Sequence, residues 1–550
     1  MGGASSSPGS SVAKAGGLVL VILASGQFLM TLDSSVMNVS MAYVAADLGT
    51  TITGIQTAIT LYTLVMATLM LTGGKLGSRW GRRRAFGIGL VIYGLGSFTT
   101  AIAPNLPVLL IGWSVLEGVG AALIMPAIVA LVANNFPAQR RSAAYGAIAA
   151  AGAIAVATGP LIGGAVTTFA SWRYVFLGEV VVVVVIAILL RKISDAPGDK
   201  SARLDWVGSV LSVIGLGMVV YGVLRSSEWG WFLPRPGGPK LLGLSPTVWL
   251  VIVGLLVVYG LLRWEGRLEA QGKDPLVRPS LFANRQLSGG LTMFFAQFSV
   301  QAGVFFAVPL FLSVVLELSA LQTGVRLVPL SLALLLAALL IPKRWPRANP
   351  RRVVRIGLAS MLGGILLLVA GMDPGASASV VALPMVLLGI GLGALSSQLG
   401  AVTVSAVDDS LAGEVGGLQN TATNLGASVG TALIGSMLIA ALSASVIAGV
   451  EASTVIPDEV KAQATTQLAG GVPFLSDTQL STAMTDAGVS EEVAQEVLDV
   501  NSQARLDALR LAFALAGLLA VGALFLSGRI PDVPPGAAVQ APDKQPVADG

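Results

Sequence analysis

The chain has 550 residues, 54% of them hydrophobic and 11% charged, with a mean hydropathy of +0.81, which excludes a soluble globular domain and indicates an integral membrane protein. It has no cysteine and no histidine, so disulfides and thiolate metal sites are excluded and a proton switch must use carboxylates, Lys or Tyr. The pI of about 9.4 does not indicate nucleic acid, because the basic residues lie in short loops between apolar runs.

A polar tail, 1–16, leads directly into the first apolar run, with no cleavable leader evident. Fourteen spans are expected, at 17–44, 54–74, 85–103, 106–132, 142–168, 174–191, 205–225, 246–263, 287–315, 323–341, 353–371, 379–405, 414–441 and 507–527. An even number puts both termini on one side. With that side inside, the inner segments hold roughly 25 of the 33 Lys and Arg, so the positive-inside rule places both termini in the cytoplasm.

The first span contains TLDSSVMNVSM, Thr31–Met41. A charge at such a depth costs about 2.5–3.5 kcal/mol, and proteins keep one only where it faces a bundle interior or a wet cavity. Asp33 is therefore the leading proton-coupling candidate. In the fourth span, Glu117 comes to a similar depth, near the midplane at about 1.5 Å of rise per residue. If the two acids face each other they titrate as a coupled pair.

An internal repeat relates the halves. DLGTTITGIQ, from Asp47, followed by GKLGSRWGRRRAFGIGL is echoed by ELSALQTGV, from Glu317, followed by PKRWPRANPRRVVRIGL. Parallel repeats place a binding site at the midplane between two six-helix units. The expected domains are 17–192, an insert of two helices at 193–285, and 286–527, with an outer loop at 451–506 and a disordered tail at 528–550. Within the ninth span Phe294, Phe298, Gln301 and Phe305 fall on one helical face, a combination that suits an amphipathic or cationic organic ligand. Asn38, Tyr62 and Trp113 are further cavity candidates, with Gln27, Gln56, Gln398, Asn420 and Asn424 as weaker ones. In the acidic outer segment, Ser476–Asp477 and Ser490–Glu491 read as helix starts with Gly488 between them, predicting a small helical hairpin.

Four stretches carry a family resemblance: LDSSVMNV, with Asp33 and Asn38; GKLGSRWGRRR, Gly74–Arg84; Gly146 followed by GPLIGG, Gly159–Gly164; and SWRYVF, Ser171–Phe176. In that order the chain resembles the major facilitator superfamily, in its fourteen-span drug:proton antiporter branch. The resemblance implies an all-α integral membrane fold of two six-helix bundles with two inserted central helices. It implies gating by Gly74, Arg79, Gly81 and Arg82, and an antiporter helix marked by Gly159, Pro160, Gly163 and Gly164. Glycines there permit close packing and Pro160 a kink. The chain departs from the pattern at Ser78, where the family usually has Asp, at Ser114, where it usually has Arg, and mildly at Ala155.

The expected function is secondary, proton-coupled export of amphipathic, often cationic, small molecules from the cell, with no enzyme activity, cofactor or metal. The alternatives are export of a specific metabolite, siderophore or lipid, and facilitated uptake. A membrane sensor or scaffold leaves the intramembrane acids unexplained. The expected partners are a small-molecule substrate, protons and membrane lipids, with no nucleic acid, and a monomer in the inner membrane.

Overall fold

The computed structural model describes residues 8–136, 138–194, 205–235, 238–345, 348–373, 375–407, 412–457, 461 and 472–532. Among these there is one isolated β-bridge, Leu241 with Leu244, and no strand. The long helices are α1 (Pro8–Asp47), α2 (Ile52–Trp80), α3 (Arg82–Ala101) and α4, which runs as Leu106–Leu109, a π-helical stretch Leu110–Glu117 and Gly118–Asn135. They continue with α5 (Ala138–Phe169), α6 (Arg173–Leu189), α7 (Trp206–Trp229), α8 (Pro246–Ala270) and α9 (Arg285–Leu310, then a π turn Phe311–Val315). The last five are α10 (Ala320–Arg344), α11 (Pro350–Gly371), α12 (Ala382–Val404), α13 (Ala412–Ala452) and α14 (Glu491–Leu526).

Twelve of the helices, searched over the described residues, are long and apolar enough to cross a membrane. The expected spans 85–103 and 142–168 correspond to α3 and α5 and are not among the twelve. Of the second, only Ile154–Phe169 qualifies, as a shorter apolar helix.

Chain polarity at each junction sets the helix starts. Thr51, Asn105, Asp205, Ser245, Asn284 and Asn349 each accept a hydrogen bond from a free N–H in the first turn that follows, which satisfies donors that a lipid environment cannot. Ser319 and Gln322 close a capping box on α10. Gly81, at φ 96°, is the single residue separating α2 from α3, a left-handed backbone that glycine adopts without a Cβ penalty.

The first six helices pack on one another, and so do the last six. The two sets meet along α5–α10 and α2–α13, and α7 and α8 pair together with α7 laid on α2 and α13. At α5–α10 the backbones touch: a Cβ on Gly324 would lie 2.0 Å from Pro160 O, and one on Gly164 2.5 Å from Ala320 O. Nearby, Tyr43 Oη and Thr168 Oγ1 accept from the first N–H groups of α10, Ala320 and Leu321, at 3.0 Å each. At α2–α13, Gln56 Nε2 donates to Thr431 O and Ala432 O, and Ser428 Oγ donates to Thr60 O.

One end of the bundle carries the arginine-rich α2–α3 junction. The other carries the acidic segment, and there the expected hairpin needs correction. A short outer helix, Asp477–Asp486, does begin at Ser476, and Gly488 takes φ 69°. The second helix, however, is not separate. It begins at Glu491 and runs without a break into the last span, because its polar turns lie beyond the apolar part of the same helix. Residues 458–460 and 462–471, with Asp458 and Glu459, lie outside the described residues, as do 533–550; the expected disordered tail, 528–550, is ordered at its start, where Ser527–Arg529 form a 3₁₀ turn and Ile530 is buried and accepts from Arg351.

The outer helix is fastened by two side chains. Arg505, fully buried on α14, donates to Val314 O and Leu475 O and pairs with Asp477. Glu317, in the α9–α10 turn at φ 50°, accepts from the Thr478 N–H and hydroxyl at 2.9 and 2.8 Å. Burial raises the Glu317 carboxyl, but the Thr478 donors outweigh it and hold the group below its ordinary 4.5. A carboxylate depressed in the folded state adds stability above its unfolded value and loses it as pH falls through the folded one. Limited proteolysis across residues 453–490 is therefore expected to accelerate as pH falls below 4.5, and Glu317→Gln should already be fast at neutral pH.

Candidate functional site

Three acids from three helices converge: Asp33 on α1, Glu117 at the end of the π-helical stretch of α4, and Glu179 on α6. Each is at most 2% exposed, and their nearest oxygens all lie within 4.8 Å of one another.

Local sequence explains the approach. Helices α3 and α4 make contact through glycines. A Cβ on Gly96 would sit 2.6 Å from Glu117 Cγ and 2.7 Å from Gly112 O; one on Gly112 would sit 2.7 Å from Thr100 Oγ1. Further along, Gly120 lies under Tyr93, its Cβ position 2.7 Å from Tyr93 N. With the backbones this close, α3 can supply donors from one face at Tyr93, Ser97 and Thr100, spaced four and three residues apart. Tyr93 Oη and Ser97 Oγ donate to Glu179 Oε2 at 3.4 and 3.1 Å, and Thr100 Oγ1 donates to Glu117 Oε1 at 3.4 Å. The π-helical stretch of α4 carries Trp113, Ser114 and Glu117; such stretches mark functional segments more often than chance. Trp113 Nε1 donates to Asp33 Oδ1 at 2.8 Å, and its ring stacks on Tyr62 with centroids 5.0 Å apart.

Asp33 Oδ2, Glu117 Oε2, Glu179 Oε1 and the Tyr62 hydroxyl are buried without a hydrogen-bond partner. A hard cation of calcium type takes six to eight oxygens. Three open carboxylate oxygens and one hydroxyl fit that poorly.

Ser114, at the position where the resemblance places an arginine, turns instead to α2 and donates to Ala58 O at 2.8 Å. Sequence reasoning missed Glu179. Its signal was the one used for Asp33, an acid in an apolar run, but it lies near the run's start and reads as an interfacial residue.

The other expected residues are more dispersed. Tyr62 and Trp113 belong to the cluster. Asn38 is half-buried and donates to Ser34 O on its own helix. Phe294, Phe298, Gln301 and Phe305 are half-buried on α9, while the neighbouring Gln297 is buried and donates to Ser396 Oγ. Gly159 and Gly163 press on α1, their Cβ positions 2.4 Å from Ser35 Oγ and 3.0 Å from Val36 Cα. Pro160 and Gly164 face α10, as described above. At the basic end Arg82 donates to Gly74 O at 2.9 Å, Gly81 forms the turn and Arg79 is exposed. Ser78 and Gly146 lie outside the residues whose side chains are described. At the acidic end, Arg173 pairs with Asp47, donates to Ala103 O and stacks on Trp172, which itself donates to Asp47. The SWRYVF stretch thus pins the start of α6 to the ends of α1 and α3.

Apolar helices closed around a sealed group of ionisable side chains define a polytopic membrane transporter. The chain belongs to the Major Facilitator Superfamily, whose family model matches residues 23–431. It is 30% identical to a puromycin resistance protein of Streptomyces alboniger over 77% of this chain and 82% of that one. It is 31% identical to a cephamycin export protein of Amycolatopsis lactamdurans, over 76% and 83%, and 26% identical to a multidrug resistance protein of Mycobacterium tuberculosis, over 81% and 79%. Among solved structures, a bacterial homologue of the lysosomal transporter Spinster, inward-facing and unoccupied, matches with TM-score 0.58 at 13% identity, over 94% of this chain and 98% of that one. A D-xylose–proton symporter matches with TM-score 0.52 at 15% identity, over 76% and 90%. The fold is therefore the all-helical major facilitator fold, and the protein is a transporter rather than an enzyme.

If the glycine contact places Glu117, adding a methyl group at Gly96 must push α3 and α4 apart. Gly96→Ala is expected to cost about 1–3 kcal/mol, the range for overpacking a filled core, read as a lowered thermal-unfolding midpoint in detergent. Gly178→Ala, where a Cβ meets nothing within 4 Å, should leave the midpoint unchanged.

Proposed function

We propose that this protein is a proton-coupled antiporter that exports amphipathic, often cationic, small molecules across the cell membrane. It works by alternating access of two six-helix halves, residues 17–192 and 286–527, around the insert 193–285. Both termini are cytoplasmic and the unit is a monomer. The observation that carries this reading is the sealed cluster of Asp33, Glu117 and Glu179. Carboxylates buried together repel when ionised, so the cluster keeps and releases protons according to which side it is open to.

Release of protons leaves negative charge where an organic cation can be received, and the stacked Tyr62–Trp113 pair gives it an aromatic wall. Asn38 and the α9 residues Phe294, Phe298, Gln301 and Phe305 extend the substrate path. The glycines of α5 and the Gly74–Arg82 contact serve as the moving joint and the inner gate. Relatives named for puromycin resistance and cephamycin export support outward transport of organic molecules.

The test is flux in proteoliposomes under an imposed pH gradient, with a fluorescent cationic dye as substrate. Asp33→Asn is expected to be folded and inserted but to transport at the rate of protein-free vesicles. Glu117→Gln cannot release a proton; it should bind the dye and lose the pH dependence of transport. Wild-type gradient-driven flux in Asp33→Asn would exclude the cluster from coupling.

A further inference from the structure

A groove of about 850 Å³ lies at the basic end of the bundle, away from the acid cluster, between the first turns of α3 and the last turns of α6. Its rim carries Trp80, Arg83, Arg84 and Arg191, and its walls are Ile88, Val91 and other aliphatic side chains. Gly87 keeps the floor low: a Cβ there would lie 2.9 Å from Leu190 Cδ2. Arg83 ties the two helices together at the groove by donating to Ile193 O at 3.0 Å. Arg84 and Arg191 are exposed.

We propose that this groove binds one anionic phospholipid, its phosphate against Arg84 and Arg191 and an acyl chain along α3 and α6. Three features argue for that occupant. Among the described residues the groove is lined by three arginines and by no acid. Guanidinium groups match a phosphate with paired donors, and the first turn of α3, whose N-cap Gly81 offers no side-chain cap, adds the positive end of a helix dipole. Below the arginines the surface turns apolar and outward, with Val91 57% and Ile188 66% exposed. A free phosphate makes no use of such a wall, whereas a lipid fills both parts at once. Trp80, 40% exposed at the rim, is the kind of side chain that settles at headgroup level. Basic recesses between spanning helices are physically suited to anionic headgroups.

Bound there, the lipid braces α3 against α6 next to the Gly81 turn, a role independent of what the transporter carries. The experiment uses the full-length protein in neutral detergent and reads the thermal-unfolding midpoint during titration with phosphatidylglycerol, phosphatidylcholine or inorganic phosphate. The expected result is a saturable rise with phosphatidylglycerol alone. The double variant Arg84→Gln/Arg191→Gln should lose that rise, while Lys343→Gln/Arg344→Gln, at another basic helix end, should keep it. An equal rise with phosphatidylcholine, the same rise with inorganic phosphate, or a rise retained in Arg84→Gln/Arg191→Gln overturns the assignment. A second measurement does not depend on the variants. Native mass spectrometry of the wild-type protein from micelles holding both lipids equally should show a phosphatidylglycerol adduct, and equal adducts of the two lipids overturn the proposal.

Discussion

A carboxylate removed from water and given no cation must either be met by hydrogen-bond donors or hold a proton. Helices α1, α4 and α6 each bring one such group to the same place, and much of the first six-helix set can be read as the means of tolerating them. Helix α3 presents a hydroxyl face, Trp113 points its indole N–H at Asp33, and glycines on α3 and α4 remove the side chains that would hold the donors out of range. Three oxygens stay without partners. A cluster satisfied in full would be a structural knot; this one leaves hydrogen-bonding capacity unspent.

The contacts between the two helix sets have a different character. They consist of backbone against backbone, with glycine at the crossing and side-chain hydroxyls or amides on helix carbonyls and N–H groups. Gly324 on Pro160 O, Gly435 on the Gln56 side chain, and Tyr43 and Thr168 on the first turn of α10 are all of this kind. Small residues allow helices in lipid to approach closely where no hydrophobic driving force separates protein from solvent. They add backbone and polar contacts to a hydrophobic cluster that runs through both sets.

Some of this was legible in the sequence, for reasons that can be named. Apolar runs long enough to cross a bilayer are visible because lipid leaves no alternative composition. Asp33 and Glu117 are visible because an acid in such a run is too costly to be incidental. Their meeting, and the arrival of Glu179, depends on how α1, α4 and α6 turn about their axes, which no local pattern specifies. The π-helical stretch of α4 has no sequence signature either; it becomes intelligible only with Gly96 and Gly112 in contact. The helix starts at Ser476 and Ser490 could be read from their chemistry. The continuity of α14 could not, because hydropathy reports the environment of a segment and changes sharply where the helix itself does not. The weak spans are those with mixed composition: α3 opens on three arginines, and α5 interleaves alanine and glycine with polar residues.

That continuity makes α14 a single rod shared by the core and the outer helix. Residues 491–506 form the outer arm of this helix, about 24 Å long at about 1.5 Å per residue, and the arm is packed rather than free: Val493, Val497 and Val500 lie against the core, and Asn501, Ala504, Arg505 and Leu506 are buried. Arg505 and Glu317 fasten the outer helix to this arm and to the α9–α10 turn at once. Any displacement of the last span is thereby carried to the outer helix through Arg505, with no loop between to absorb it.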